Sequence, residues 1–273
     1  MYITNNPEVA QIAEASGVDR VFVDMEYIGK SDRQGGMDTV QSRHTVEDVL
    51  RIRKSLKKTQ LLVRVNPIHT ATEDYGDSAE EINAVVSSGA DVIMLPYFKT
   101  VEEVRTFIEL VNGRAATMLL VETPEAVEKI DEILALEGID EVFIGLNDLS
   151  LGYGKKFMFE LLADGTVEKL CMKFRLKGLP YGFGGIASIG KGMLPAERVI
   201  AEHYRLGSTC AILSRSFCNV SFMENIDEIQ DVFQRGLREI RAFEAECLTH
   251  AEWFWSNYGE MRKAVMKISE SRL

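Results

Sequence analysis

Long apolar runs are the first thing this chain lacks. No window approaches the roughly 18 apolar residues of a membrane-spanning helix, and MYITNNPEVAQ at the start has neither the basic nor the apolar region of a secretory leader. A cytoplasmic protein with no membrane partner is the expectation. Cysteine is scarce: four residues, at 171, 210, 218 and 247, show neither CxxC spacing nor the density of a disulfide scaffold. They read as reduced thiols. Positive charge is in deficit, with 31 Lys and Arg against 42 Asp and Glu and a formal net charge of -11. Such a surface repels phosphate backbones, so no nucleic-acid partner is expected. The nearest basic cluster, RIRKSLKK (51–58), reads as the end of a helix, where cations complement the dipole. GxSxG, HExxH, Walker A and zinc-ligand spacings are all missing.

The chain does have enough apolar sequence for a sizeable core, 46% hydrophobic beside 27% charged residues. Eight short apolar runs recur: MYIT (1–4), RVFVDM (20–25), QLLVRV (60–65), DVIMLP (91–96), TMLLVE (117–122), EVFIGL (141–146), YGFGGI (181–186) and CAILSR (210–215). Amphipathic segments separate them, among them PEVAQIAEASG (7–17), TVEDVLRIRKSLKK (45–58), PEAVEKIDEILAL (124–136) and PAERVIAEHYRLG (195–207). Strands alternating with helices, without a linker, predict an α/β fold, a closed (β/α)8 TIM barrel over residues 1–222. Residues 223–273 read as extra C-terminal helices, with Phe233, Leu237, Ile240 and Phe243 at helical spacing. A barrel needs one helix there, so the excess reads as packing on a neighbouring subunit of a homo-oligomer, a trimer or hexamer, with closure of the barrel floor as the alternative. Two long polar loops, 27–43 and 69–77, read as lids or binding loops.

In a parallel barrel the chemistry gathers at the C-terminal ends of the strands. The polar residues there are Asp24 and Glu26, Arg64 and Asn66, Glu122, Asn147 and Asp148, and Arg215. Glu122 and Asp148 end consecutive strands, so their oxygens could converge on a hard divalent cation, Mg2+ first and Mn2+ second. The competing reading has each carboxylate capping the helix that follows. Arg64, flanked by valines in LLVRVNP, needs an anionic partner: Asp24 or Glu26 internally, or a substrate carboxylate. His44 stands before a Thr45 to Asp48 capping pair and reads either as helix entry or as a base reaching over the mouth. His69 has the same two readings, while His203 and His250 read as structural. Gly182 to Ala187 fits the dinucleotide pattern GxGxxA, but the next helix begins only near Pro195 and the acidic residue closest to the required spacing, Glu202, lies inside it. These glycines, Gly185 included, read instead as letting backbone approach a substrate carboxylate or the waters of a bound metal.

Together, VFVDMEY, LLVRVNP, GADVIMLPYFKTVEEV, LLVETPEA and EGIDEVFIGLNDLSLGYG resemble the HpcH/HpaI aldolase and citrate lyase beta-subunit family, over about residues 1–220. The resemblance implies that Glu122 and Asp148 bind Mg2+ or a similar cation and that Arg64 contacts the carboxylate and keto oxygen of a 2-keto acid such as pyruvate or oxaloacetate. The implied reaction makes or breaks a C–C bond through a metal-stabilised enolate. Asn147 then reads as a substrate-side neighbour that orients Asp148. One departure matters: where the aldolases carry Glu-His, this chain has Glu26-Tyr27. The base is therefore open among Tyr27, His44, Glu26 and a metal-bound hydroxide. A citrate-lyase-like enzyme acting on acyl-CoA thioesters and a catalytically silent metal-binding barrel are the alternatives.

Overall fold

The eight apolar runs become strands because both of their faces are buried, the pattern of a parallel sheet covered by helices. In the computed structural model, which describes residues 1–30, 42–72, 75–220, 223 and 225–272, they are β1 (Tyr2–Ile3), β2 (Arg20–Asp24), β3 (Gln60–Arg64), β4 (Val92–Leu95), β5 (Ala116–Val121), β6 (Glu141–Ile144), β7 (Tyr181–Ile186) and β8 (Cys210–Leu213). All pair in parallel and in chain order, and the ring closes where Tyr2 faces Leu213. The expected (β/α)8 barrel is the observed fold.

The helices between strands start where short polar side chains can satisfy their first N–H groups. Asn6 caps α1 (Pro7–Ala15), accepting from Glu8 and Val9. Thr45 and Asp48 form the expected capping box on α2 (Val46–Ser55), Asp77 caps α3 (Ser78–Ser87), and Thr100 and Glu103 box α4 (Val101–Val111). The segment 124–136, one helix by its sequence pattern, is two short ones, α5 (Pro124–Glu128) and α6 (Ile130–Ile133). The backbone leaves helical geometry at Lys129, yet the ladder bridges the break through Lys129 N–H to Glu125 O and Ile133 N–H to Lys129 O. There follow α7 (Leu146–Gly152), α8 (Glu160–Ala163), α9 (Thr166–Leu176) and α10 (Ala196–Leu206).

Strand parity decides what fills the barrel. Phe22, Leu62, Val92, Met94, Met118, Leu120 and Phe143 point inward as one cluster, while Val21, Val23, Leu61, Val63, Ile93, Leu119, Val121, Val142 and Ile144 face the helices. Each such side chain contributes about 1.5–3 kcal/mol by leaving water. Two residues further along, the same inward parity gives Asp24, Arg64, Glu122 and Gly145. Hydrocarbon fills the barrel up to this level, and charge takes over.

Gly182 to Ala187 serves the closure of the ring. A Cβ on Gly182 would lie 2.2 Å from the Cys210 carbonyl oxygen, Gly184 has φ +55, and the β7–β8 register shifts between Gly182 and Gly185. Beyond β8, α11 (Ile226–Thr249) seats Phe233 on Tyr2 with ring centroids 4.7 Å apart and packs on α1 and α10, the place of an eighth barrel helix. The additional helix α12 (Trp253–Glu270) lies on α8 and α10 of its own chain, where Asn257 donates to Glu202 at 2.9 Å. Leu248, Trp255 and Met266 of these two helices remain exposed. Among the described residues no helix is long and apolar enough to cross a membrane.

Candidate active site

Register places the first pair. Asp24 on β2 stands opposite Arg64 on β3, and the guanidinium forks onto its carboxylate, Nε to Oδ1 and Nη2 to Oδ2, both at 2.8 Å. The third nitrogen, Nη1, lies 3.3 Å from Glu26 Oε2. Beneath, the Arg64 Cζ sits 5.6 Å from the centroid of Phe22. A second cation enters from the loop after β2: Lys30 Nζ donates to Asp24 Oδ2 at 3.1 Å and lies 3.3 Å from Glu26 Oε2. All four side chains are buried or nearly so, with exposures of 2% for Asp24, 1% for Glu26, 5% for Lys30 and 14% for Arg64. Burial alone would raise the Asp24 pKa, but the charge and hydrogen bonds of Arg64, then Lys30, hold it well below the usual carboxylate range. Burial likewise works against the Arg64 cation, and the charges of Asp24, Glu26 and Glu122 keep it firmly protonated. The arginine expected either to pair internally or to face a substrate is thus paired internally, at the rim of the mouth.

The chain leaving β2 is pinned from two sides. Asn66, just past β3, accepts the N–H groups of Tyr27 and Ile28, each at 3.0 Å, and is itself held by Glu81 of α3 at 2.8 Å. The Tyr27 ring packs against Tyr75 with centroids 4.8 Å apart. His44 meets the same strand end from the other side. Met25 N–H goes to Arg64 O on β3, so Asp24 N–H faces β1, which has already ended, and His44 Nδ1 accepts it at 3.0 Å. Burial lowers the His44 pKa, favouring the neutral ring. With the Nδ1 lone pair committed, the proton sits on Nε2, which makes this imidazole a donor.

Glu122 continues the inward parity of Leu120. It is 4% exposed, and its Oε1 accepts the N–H of Tyr97 at 3.0 Å. Tyr97 presents that N–H from φ +49, uncommon for a residue with a side chain. The carboxylate lies over Gly145: a Cβ there would come within 2.6 Å of Glu122 Oε2 and 2.8 Å of Glu122 Cβ. Asp148, 8% exposed, stands in the first turn of α7, inside the helix and not at its cap, and Asn147 Nδ2 donates to its Oδ1 at 3.3 Å. Among the described residues no three acidic, histidine or cysteine side chains form a metal-holding group.

Residues 1–160 match the family described as HpcH/HpaI aldolase/citrate lyase. The chain belongs to this family. Its curated relatives are distant: it is 28% identical over 193 residues to a 2-keto-3-deoxy-L-rhamnonate aldolase of Escherichia coli, covering 66% of this chain and 71% of that one. It is 29% identical over 160 residues to a hydroxypyruvate/pyruvate aldolase of Agrobacterium fabrum, covering 53% and 58%. The chain spans about half the length of several curated relatives it matches, 46% of the Sagittula stellata hydroxypyruvate/pyruvate aldolase and 58% of the Shigella boydii 2-keto-3-deoxy-L-rhamnonate aldolase. Among solved structures, an HpcH/HpaI aldolase from Desulfitobacterium hafniense superposes with TM-score 0.58 at 18% identity over 88% of this chain and 91% of that one. A family protein from Burkholderia cenocepacia gives 0.61 at 15%, over 84% and 94%.

For an HpcH/HpaI family barrel, the chain gathers Asp24, Glu26 and Arg64 by direct contacts, with Glu122 near enough for its charge to act on Arg64. Gly185 stands apart on β7, against Ile212 of β8 and Ser214 just past it. Arg215 lies exposed past β8. His69 is tied into its own loop, with Nδ1 near Pro67 O at 2.8 Å and Nε2 near Gly76 O at 3.1 Å. His203 stacks flat on Phe183 at 3.8 Å in the outer core. Lys30 was missed in the sequence because a lysine in a polar loop carries no periodicity; its spacing of four from Glu26 in EYIGK is the one available signal.

Proposed function

We propose that this chain is a divalent-metal-dependent carbon–carbon lyase acting next to the keto group of a 2-keto acid. The observation that carries the reading is the charged layer itself. The inward parity that buries Phe22, Leu62 and Leu120 ends, one step up, in Asp24, Arg64 and Glu122. Mg2+ or Mn2+ suits the residues on β5 and α7: Glu122 and Asp148 are buried hard-oxygen donors, and Gly145 leaves free the space that a Cβ would take from the Glu122 carboxylate. Two carboxylates completed by substrate and water are a usual Mg2+ holding set. When bound, the cation would supply Lewis-acid stabilisation of negative charge on the substrate's keto oxygen.

The chain's own residues do the rest. Arg64, kept protonated, attracts the substrate carboxylate to its Nη1 edge, and the burial of the layer strengthens that attraction. Asn66 holds the Tyr27 and Ile28 backbone, which fixes the stretch carrying Glu26 and Tyr27 at the end of β2. His44 serves as a donor through Nε2, and the proton-accepting role falls to Glu26 or Tyr27. Relatives named as keto-acid aldolases support the substrate class.

The test is methyl-proton exchange. Pyruvate in D2O with Mg2+ or Mn2+ should lose its methyl NMR signal when wild-type protein is added, and Glu122→Ala or Arg64→Ala should abolish the loss. A wild-type protein that exchanges no protons with either metal overturns the keto-acid reading. Turnover of an acyl thioester in its place would move the chain to the citrate-lyase side of the family.

A further inference from the structure

Arg64 faces a conflict that its own contacts reveal. Nε and Nη2 are spent on Asp24 and Nη1 on Glu26, so every guanidinium nitrogen already serves an internal carboxylate. A substrate carboxylate can gain the arginine only if one internal acid gives it up. The fork to Asp24 is short and bidentate, whereas the contact to Glu26 is single and longer at 3.3 Å. Glu26 is therefore the acid that yields. It is 1% exposed, and a buried carboxylate abandoned by its cation would be costly. Lys30 Nζ lies at the same oxygen, Glu26 Oε2, also at 3.3 Å, and bridges to Asp24 Oδ2 at 3.1 Å.

We propose that Lys30 is a positioning residue that keeps Glu26 and Asp24 neutralised while Arg64 turns its Nη1 edge to the substrate carboxylate. The inference rests on the lyase reading and adds to it a residue supplied by this chain's loop after β2. The described contacts of Lys30 are with Asp24 and Glu26, and it acts through Arg64. A lysine suits the part, since its ammonium has three donors in no fixed plane and can follow two carboxylates as the arginine shifts.

The consequence is a pair of opposite effects. Without Lys30, Glu26 holds Arg64 more tightly and the mouth carries one more negative charge. Anion binding must weaken while cation binding strengthens, each on the order of tenfold for a unit charge acting across a site of low effective dielectric. The probes are Mn2+, followed by electron paramagnetic resonance, and oxalate, a planar mimic of a keto-acid enolate, followed by calorimetry on Mn2+-loaded protein. Lys30→Met should bind oxalate about tenfold more weakly and Mn2+ more tightly. Lys30→Arg should retain wild-type values, and the double variant Glu26→Gln with Lys30→Met, which restores the charge, should recover oxalate binding. Simple loss of structure would weaken both probes together and would not be rescued by Glu26→Gln. Loss of both probes in Lys30→Met, or no change in either, overturns this inference alone. A wild-type protein that binds neither probe overturns the lyase reading and this inference with it.

Discussion

Replacing Gly145 by alanine tests whether the Glu122 carboxylate is seated by the absence of a side chain. The backbone at Gly145 has φ -81 and ψ 86, which alanine tolerates, so any effect comes from the added methyl group. That methyl carbon would lie 2.6 Å from Glu122 Oε2, 2.8 Å from Glu122 Cβ and 3.2 Å from Leu120 Cδ1. The carboxylate could swing away, but Glu122 Cβ is fixed to the backbone, so β5 and β6 have to part. Overpacking of this kind costs about 1–3 kcal/mol, and the smaller entropy of an unfolded alanine chain returns about 0.4–1 kcal/mol. A net loss of about 1–2 kcal/mol lowers Tm by about 2–4 °C at this chain length. With Glu122 as the proposed metal ligand, its displacement should lower Mn2+ affinity by roughly 10–100-fold. Melting by circular dichroism without metal and titration with Mn2+ measure the two effects. In an E122Q background, G145A should remove little further Mn2+ affinity, since the glycine acts only through that carboxylate. Wild-type Mn2+ affinity in G145A would refute the reasoning.

His203 sits buried against Phe183, and burial pushes its pKa down to about 3. Unfolded histidine titrates near ~6.5, so between these values the unfolded state binds a proton that the native state refuses, and wild-type stability falls as pH falls, by up to ~1.4 kcal/mol per pH unit. His203→Phe should flatten Tm against pH over that window, and parallel curves would contradict the assignment. Asn66→Ala deprives the Tyr27 and Ile28 N–H groups of their acceptor; it should cost about 1–3 kcal/mol and raise the pyruvate KM in the exchange assay while Mn2+ affinity holds. An unchanged KM would show that this anchor has no part in substrate binding.

The barrel was legible because its signal is redundant: seven of the eight strands lie within an apolar run and β5 starts one residue ahead of its run, at Ala116, and Thr45–Asp48 supplied the cap its spacing implied. Arg64 stood out because a lone charge among valines must have a partner, and the register named it as Asp24. Asp148 was harder to place, since a carboxylate in the sequence LNDLS fits the cap of a helix as well as its first turn, and only the start of α7 at Leu146 separates the two. His44 and Lys30 were out of reach for a different reason. Each depends on where an irregular loop returns, and no periodicity reports that. His44 was visible as a choice between two roles; that it fills the space left by the short β1 follows only from the backbone. The break at Lys129 left no trace in an apolar pattern that continues across it.

The attachments of His44 and Asn66 to the end of β2 bear on how this branch of the family can change. Tyr27 and Ile28 are fastened to Asn66 as the chain departs, and His44 is fastened to Asp24 as it returns. Residues 29–43 thus connect two points that are held at one rim position. Doubling the length of such a connection costs only about 0.6 kcal/mol of closure entropy. A change of length between Lys30 and His44 therefore costs little closure entropy, while Lys30, within the same stretch, has to keep its place on Asp24 and Glu26.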